Sequence, residues 1–131
     1  MDPLVDQQQL DAFIARYVGM WHESDSQRRR AIVSELWAGD AENCSRRFAL
    51  RGLEAIVARV ARAHDEWVAQ KGFVFRPVGN PDTLENVVKL FWEMVPRDGG
   101  PRAALGLDIF VLQPDGRIRA LYQFAEPLAP G

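Results

Sequence analysis

Two stretches near the start of the chain have apolar residues at the spacing of an amphipathic helix. In the first, these residues follow the i, i+3, i+4, i+7, i+8, i+11 series, at Leu10, Phe13, Ile14, Tyr17, Val18 and Trp21. Ser24 and Gln27 have the spacing of a capping box and predict the start of a second helix. We expect that helix to end at Gly39-Asp40, with an inner face formed by Ile32, Val33, Leu36 and Trp37.

A third helix is predicted after Gly52. Its polar side carries Glu54, Arg59, Arg62, Asp65 and Glu66, and its apolar side carries Ile56, Val57, Val60, Ala61, Trp67 and Val68. His64 falls on the apolar side, one turn after Val60.

From Phe73 onwards the pattern becomes that of strands. Residues 73–78, 86–95, 102–112 and 117–124 are rich in β-branched and aromatic side chains, and clusters of Gly, Pro, Asn and Asp separate them. The short connections favour antiparallel hairpins, and a further brief strand is expected within 42–49. Helices followed by such strands predict an α+β fold, in one domain with its core at about residues 8–125.

The alternation within these strands predicts which side chains face the helices. Lys89 and Glu93 share one face of their strand, so we expect the inner face to hold Val88, Leu90, Trp92 and Met94. In the last strand, Arg117 and Arg119 likewise place on the inner face Ile118, Ala120, Tyr122 and Phe124.

The strand at 103–112 is apolar at both alternating sets of positions, so both of its faces should be covered. The helices can cover only one face. We therefore predict a homodimer through the outer face of the sheet, with Phe91 and Leu121 in the contact. In the alternative, loops or the tail at 126–131 cover that face.

Composition excludes several classes of function. Apolar residues make up 47% of the chain and charged residues 26%, as in ordinary globular proteins. Sixteen Lys and Arg against eighteen Asp and Glu leave no basic excess for binding nucleic acid. No apolar run is long enough to cross a bilayer, no signal-like segment is found, and Cys44 is the one cysteine. We expect a cytoplasmic protein without nucleic-acid or membrane partners.

Asp108 is the one charged residue between Arg102 and Asp115, in the most hydrophobic strand of the chain. A buried carboxylate without a partner takes up a proton, so its pKa should be raised. Such groups concentrate at functional sites, although structural ion pairs produce the same pattern. We expect Asp108 to point into a cavity.

Several short segments resemble the SnoaL-like division of the NTF2-like superfamily. They are YxxxW at 17–21, LWAGDA at 36–41, RGLEAI at 51–56, FWEMV at 91–95, DIFVL at 108–112 and DGRI at 115–118, and the likeness covers about residues 10–124. This resemblance implies a cone, in which a strongly curved, mainly antiparallel sheet wraps around three N-terminal helices and leaves a pocket at one end. The superfamily includes ketosteroid isomerases, polyketide cyclases, dehydratases, epoxide hydrolases and proteins without catalysis, so fold alone does not choose among them.

The resemblance also implies roles for individual residues. By position, Tyr17 is similar to the oxyanion-hole tyrosine of ketosteroid isomerases, and Asp108 to their protonated aspartate. Ser45 falls where the family has a basic carboxylate, and a hydroxyl is too weak a base to take a proton from carbon, so we do not predict a steroid isomerase. SnoaL-type polyketide cyclases keep an acid/base aspartate on the later strand, which leaves Asp108 as a proton shuttle.

The other candidate site residues can each be interpreted as functional or as structural. His64 is either a base beside Asp108 or a core histidine bonded to a backbone carbonyl or to a neighbouring side chain. Six aromatic residues are candidates for ligand contact, namely Trp21, Trp67, Phe75, Trp92, Phe110 and Tyr122. We expect only some of them to touch a ligand and the others to belong to the core. Cys44, His22 and His64 lack the spacing of metal ligands, and we expect neither a metal nor a cofactor.

Two functions remain open from the sequence. In the first, the protein is an enzyme that isomerises, cyclises or dehydrates a hydrophobic carbonyl compound, with Asp108 as acid or proton shuttle, His64 as base and Tyr17 as donor to the oxyanion. In the second, it is a non-catalytic domain that binds a hydrophobic small molecule or mediates dimeric interaction. Ser45 favours the second function, whereas Tyr17 and Asp108 together favour the first.

Overall fold

The computed structural model describes residues 6–127, with only the backbone of 126 and 127, and confirms the predicted α+β fold. Its elements are α1 (Gln7–His22), α2 (Ser26–Leu36), β1 (Trp37–Cys44), β2 (Ala49–Arg51), α3 (Leu53–Ala63), a π-helical segment (His64–Gln70), β3 (Phe73–Leu84), β4 (Val87–Pro96), β5 (Ala104–Leu112) and β6 (Ile118–Pro127). Within the described residues, no helix combines the length and the apolar character needed to cross a membrane.

The six strands form one mixed sheet in the order β2-β1-β6-β5-β4-β3. All neighbouring strands are antiparallel except β1 and β6, which run parallel. Register shifts interrupt the ladders of β1, β3 and β6, and such bulges bend and twist a strand. The inner face of the sheet packs against the helices, and the core contains Tyr17, Met20, Val33, Ile56, Leu90 and Phe110.

The second helix differs from its prediction at both ends. It begins at Ser26 because Asp25, and not Ser24, caps it by accepting hydrogen bonds from the backbone N–H groups of Gln27 and Arg28, each at 2.9 Å. It ends at Leu36, and Trp37 is extended and begins β1. Helical periodicity continues through Trp37, but pairing with Ile118 of β6 draws this residue into the sheet.

The strands after α3 lie where the sequence predicts them to within a few residues, but β3 extends beyond its predicted end. The cluster at 79–82, which predicts a turn, lies inside β3 at a bulge between Val78 and Asp82. The chain reverses later, where Glu85 adopts a positive φ of 54°. The brief strand expected within 42–49 proves to be two strands, β1 and β2, that form a hairpin.

The inner face predicted for the last strand is wrong beyond Ile118. Ile118 pairs with Leu112 and Ala120 with Val111, so Arg119 is an extra residue in β6 and reverses the alternation after it. Leu121 and Gln123 consequently face the helices and are buried. Tyr122 and Phe124 point outward and are 40% and 42% exposed.

The outer face of the central strands is apolar, as predicted, but the residues that form it differ in part from those predicted. Phe91, Leu107 and Phe124 are paired in register across β4, β5 and β6, and Ile109 pairs with Tyr122 in the neighbouring row. Phe91 is 45% exposed. Leu121 belongs to the core and not to this face. The alternative cover by 126–131 lies outside the described residues, apart from the backbone of 126 and 127.

Candidate functional site

A cavity of about 630 Å³ lies between the helices and the inner face of the sheet. This volume falls in the range of small-molecule sites. Four of the six aromatic residues predicted to contact a ligand line it, namely Trp21, Trp67, Phe75 and Trp92. Trp67 comes from the π-helical segment, where Lys71 N–H bonds to the Glu66 carbonyl at 3.2 Å.

Asp108 lies at the inner end of this cavity, on the central strand β5, and is 1% exposed. The Tyr17 hydroxyl donates to its Oδ2 at 2.6 Å. Trp92 Nε1 and Gln123 Nε2 donate to its Oδ1 at 2.9 and 3.3 Å. All three donors are neutral, so the carboxylate is held by hydrogen bonds rather than by a direct ion pair.

Burial dominates the acid–base properties of this pair. It raises the pKa of Asp108 to about 6, although the three hydrogen bonds and the charge of Arg59 act in the opposite direction. Burial and the Asp108 charge raise the pKa of Tyr17 well above its usual value. Tyr17 therefore keeps its proton at all ordinary pH values, while Asp108 changes its protonation state close to neutral pH.

The single hydroxyl proton of Tyr17 constrains what the pair can do. While Asp108 is ionised, that proton is directed to Oδ2 and is not free for a ligand. Protonated Asp108 can instead donate to the Tyr17 oxygen, which turns the Tyr17 proton towards the cavity. Tyr17 thus becomes a donor to a ligand only after Asp108 has gained a proton.

A second group of polar side chains holds Gln123 in place. Its Oε1 accepts from Asn43 Nδ2 at 3.0 Å and from Arg59 Nη2 at 3.3 Å. Arg59 Nε also donates to Asn43 Oδ1 at 3.2 Å. These contacts fix the amide of Gln123 with its NH₂ group towards Asp108.

Sequence reasoning missed this second group. The helical pattern predicts Arg59 on the polar side of α3, but it lines the cavity. Strict alternation in β6 predicts that Gln123 lies on the outer face of the sheet. Nothing in the sequence pattern indicates that Arg119 is an extra residue. A contact between Asn43 and Gln123 could be predicted only if β1 were known to pair with β6.

Three predicted site residues do not reach the cavity. His64 is buried, and its Nδ1 lies 3.2 Å from the Trp21 carbonyl oxygen, as the hypothesis of a core histidine predicts. It does not line the cavity that contains Asp108. Phe110 is fully buried and packs edge-on against Tyr17 at 4.7 Å between ring centroids. Tyr122 faces away because of the bulge in β6.

The cavity rim carries the residues between β1 and β2. Ser45 lines the cavity, and its hydroxyl accepts from the Arg47 N–H at 3.2 Å. Cys44, at the end of β1, is partly buried. Within residues 6–127, no group of three or more His, Cys, Asp or Glu side chains is arranged to hold a metal ion.

Comparison with known proteins gives a clear structural result. No protein-family model and no curated protein matches the sequence. Among solved structures, a provisionally assigned isomerase of the SnoaL-like family from Agrobacterium tumefaciens C58 is 27% identical, with a TM-score of 0.81 over 92% of this chain and 99% of that chain. The domain has the fold of the SnoaL-like proteins. The predicted resemblance and the cone fold of the NTF2-like superfamily are both confirmed.

Two more distant solved structures show the same fold. A provisionally assigned polyketide cyclase from Sinorhizobium meliloti is 18% identical over 91% of this chain and 99% of that chain, with a TM-score of 0.67. A provisionally assigned SnoaL-like polyketide cyclase from Jannaschia sp. CCS1 is 16% identical over 91% and 86% of the two chains, with a TM-score of 0.66. At these identities the likeness is one of fold alone.

Proposed function

We propose that the protein binds a hydrophobic carbonyl compound in the cavity and exchanges protons with it through Asp108, without a cofactor. The observation that carries this proposal is a fully buried carboxyl group that lines the cavity, where burial raises its pKa to about 6. A group with a pKa close to the working pH can both take up and return a proton. The aromatic walls would bind the apolar part of the ligand.

The proposed reaction begins with ionised Asp108. The carboxylate takes a proton from the carbon next to the ligand carbonyl, and negative charge develops on the carbonyl oxygen. Protonated Asp108 then donates to Tyr17, whose hydroxyl is released to stabilise that oxygen. Return of the proton from Asp108 to a different carbon completes an isomerisation. Its transfer to a hydroxyl group that leaves as water would complete a dehydration, and attack of the enolate carbon on a second carbonyl group, whose oxygen takes the proton, would complete a cyclisation.

In this proposal Asp108 is the base, and His64 is not. The sequence-based hypothesis assigned proton abstraction to His64, but its ring is held by the Trp21 carbonyl and does not line the cavity. Ser45 at the rim has a hydroxyl group and not a carboxylate, so it cannot serve as the base in place of His64. A single carboxyl group must therefore both accept and return the proton.

A non-catalytic binding protein is the second candidate, and one observation favours it. Asp108 already accepts three hydrogen bonds, which stabilise its charged form and weaken it as a base. In that case Asp108 and Tyr17 would only orient the ligand.

Hydrogen–deuterium exchange on 2-acetylnaphthalene separates the two functions. Binding is followed by the fluorescence of the cavity tryptophans, and loss of methyl protons in D₂O is followed by NMR. We expect the wild type to bind and to exchange, Asp108→Asn to exchange at least about 100-fold more slowly, and the exposed control Asp98→Asn to match the wild type. Binding without exchange would identify a binding protein, and equal exchange by Asp108→Asn would contradict the role of Asp108.

We further propose a homodimer through the outer face of β4, β5 and β6. The row formed by Phe91, Leu107 and Phe124, together with the exposed Tyr122, supports it. Apolar patches of this kind on a soluble protein mark interaction sites. The two sheets would pack face to face, leaving each cavity on its own inner side.

A cytoplasmic location is also a proposal. It rests on Cys44, the one cysteine of the sequence, which is a free thiol. Free thiols are typical of reducing compartments.

A further inference from the structure

The cavity carries an excess of positive charge that the whole chain lacks. Its lining includes Arg46, Arg47, Arg59 and Arg76, whereas Asp108 is the one acidic side chain among the described lining residues. The complete chain has a net charge of −2. The excess is therefore local to the cavity, and clefts lined by one sign of charge attract ligands of the other.

Not all of this charge is available to a ligand. Arg76 is paired with Glu93 at 2.8 Å, which neutralises it. Arg47 is exposed and stands at the rim, on the connection between β1 and β2. Arg59, on α3, lies deeper and is partly buried, so it is the cation that a bound molecule would meet inside the cavity.

Arg59 has polar and aromatic partners but forms no direct ion pair with a carboxylate among the described residues. It donates to the amide oxygens of Asn43 and Gln123, and its guanidinium lies 4.2 Å from the Phe48 ring centroid and 5.7 Å from that of Trp21. Burial lowers its pKa. A partly desolvated guanidinium without a carboxylate carries an energetic cost that an anion can offset.

The geometry of the guanidinium suits a carboxylate. Five N–H groups are fixed in one plane, and the bonds to Asn43 and Gln123 leave several of them unused. Gln123 in turn donates to Asp108 at 3.3 Å, so Arg59 and Asp108 lie at two ends of one short hydrogen-bonded chain. A ligand that reaches both must carry its acidic group close to the carbon that reacts.

We propose that the ligand of this cavity is an apolar carboxylic acid, whose carboxylate binds Arg59 and is guided in by Arg47 while its hydrophobic body packs on Trp21, Phe75 and Trp92. This inference names the substrate class of the proposed function and rests on it. It makes charge a requirement, whereas the proposed function requires only an apolar ligand.

The test uses two probes of equal size that differ in charge, 2-naphthaleneacetate and 2-naphthaleneacetamide. Each is titrated at pH 7.5 against the fluorescence of the cavity tryptophans, at low and at high salt. For the wild type we expect the acetate to bind at least about tenfold more tightly than the amide, because hydrogen bonds to charged groups are the stronger ones. That preference should shrink at high salt, since rim charges are screened.

Variants assign the preference to named residues. Arg59→Gln should abolish the preference because it removes the charge, and Arg59→Lys should restore part of it. Arg47→Gln should weaken the salt dependence, and Arg119→Gln, an exposed arginine outside the cavity, should change nothing. Circular dichroism confirms that each variant is folded.

The outcomes distinguish the two levels of the proposal. If the wild type binds the amide as tightly as the acetate, the inference about charge is wrong and the proposed apolar site stands. If an unchanged preference survives in Arg59→Gln, the assignment to Arg59 is wrong. If neither probe binds at millimolar concentration, both the inference and the proposed function are contradicted.

Discussion

The indole of Trp92 occupies the space in which a side chain at Gly106 would lie. The two residues are paired in register on β4 and β5, and a Cβ atom at Gly106 would be 2.1 Å from two indole carbons and 2.6 Å from Nε1. No atoms approach so closely without a shift. The absence of a side chain at Gly106 thus allows Trp92 to reach Asp108, to which its Nε1 donates at 2.9 Å.

We predict that Gly106→Ala displaces Trp92 and breaks this hydrogen bond. The Trp92 bond lowers the pKa of Asp108, so its loss should raise that pKa further. Overpacking of this kind costs about 1–3 kcal/mol of stability. Denaturant unfolding and the tryptophan fluorescence spectrum of the protein provide the measurements.

Gly39→Ala is the matched control for this substitution. A Cβ atom at Gly39 has nothing within 4 Å, so that variant should keep the wild-type spectrum and stability. A Gly106→Ala protein that behaved like the control would show that Trp92 is not held against β5.

The raised pKa of Asp108 predicts how stability depends on pH. Its value of about 6 in the folded protein exceeds the ordinary value of 3.8, so between these values the folded protein holds a proton that the unfolded chain has released. Stability from this group is therefore greatest in acid and falls as the pH rises. Between pH 4 and pH 7 the loss should be about 2 kcal/mol.

Comparison with Asp108→Asn isolates this effect. Exposed carboxyl groups with lowered pKa values, such as Asp25 and Glu54, destabilise the protein as the pH falls, but they are present in both proteins. As the pH falls, the free energy of unfolding of the wild type should therefore rise relative to that of Asp108→Asn. A difference that stays constant from pH 4 to pH 7 would rule out a raised pKa at Asp108.

Removal of the Tyr17 hydroxyl should change both the rate and its pH dependence. The hydrogen bond from Tyr17 lowers the pKa of Asp108, so Tyr17→Phe should shift the midpoint of the pH–rate profile of deuterium exchange to higher pH. Loss of one oxyanion donor should also slow exchange by about 10²–10³-fold.

Tyr122→Phe makes the same chemical change on the outer face of the sheet and is the control. It should leave the profile unchanged. A Tyr17→Phe variant with a lower rate but an unmoved midpoint would separate the oxyanion role from the coupling to Asp108.

A charge on the outer face should dissociate the proposed dimer. Phe91→Glu places a carboxylate at one end of the row with Leu107 and Phe124, where its burial between two sheets would be costly. Light scattering at micromolar concentration should report a dimer for the wild type and a monomer for the variant. Leu84→Glu, at an exposed position at the end of β3, should remain dimeric, and a monomeric wild type would contradict the proposal.

Local pattern was sufficient for much of the fold. The helical spacing through Tyr17 and Trp21 predicted α1, because a helix face is set by residues only three or four positions apart. Alternation in β4 predicted the burial of Val88 and Leu90 for the same reason. Asp108 stood out as a charge within a strand that is apolar on both faces, and that contrast is also visible locally.

The tertiary structure decided what lies beside Asp108. Tyr17 is 91 positions away from it, and Asn43 is 80 positions from Gln123, so no local spacing relates the members of these pairs. The inward position of Gln123 depends on a bulge that exists only in the pairing of β5 with β6. Trp37 became a strand residue for a similar reason, since β6 competes with the helix for its backbone.

The sequence by itself therefore determined the elements, the buried faces of most of them and the presence of one buried acid. The placement of Arg59 in the cavity and of His64 outside it required the packed structure. Periodicity reports which side of an element is apolar, whereas the direction of a partly buried polar side chain depends on the partners that folding brings to it.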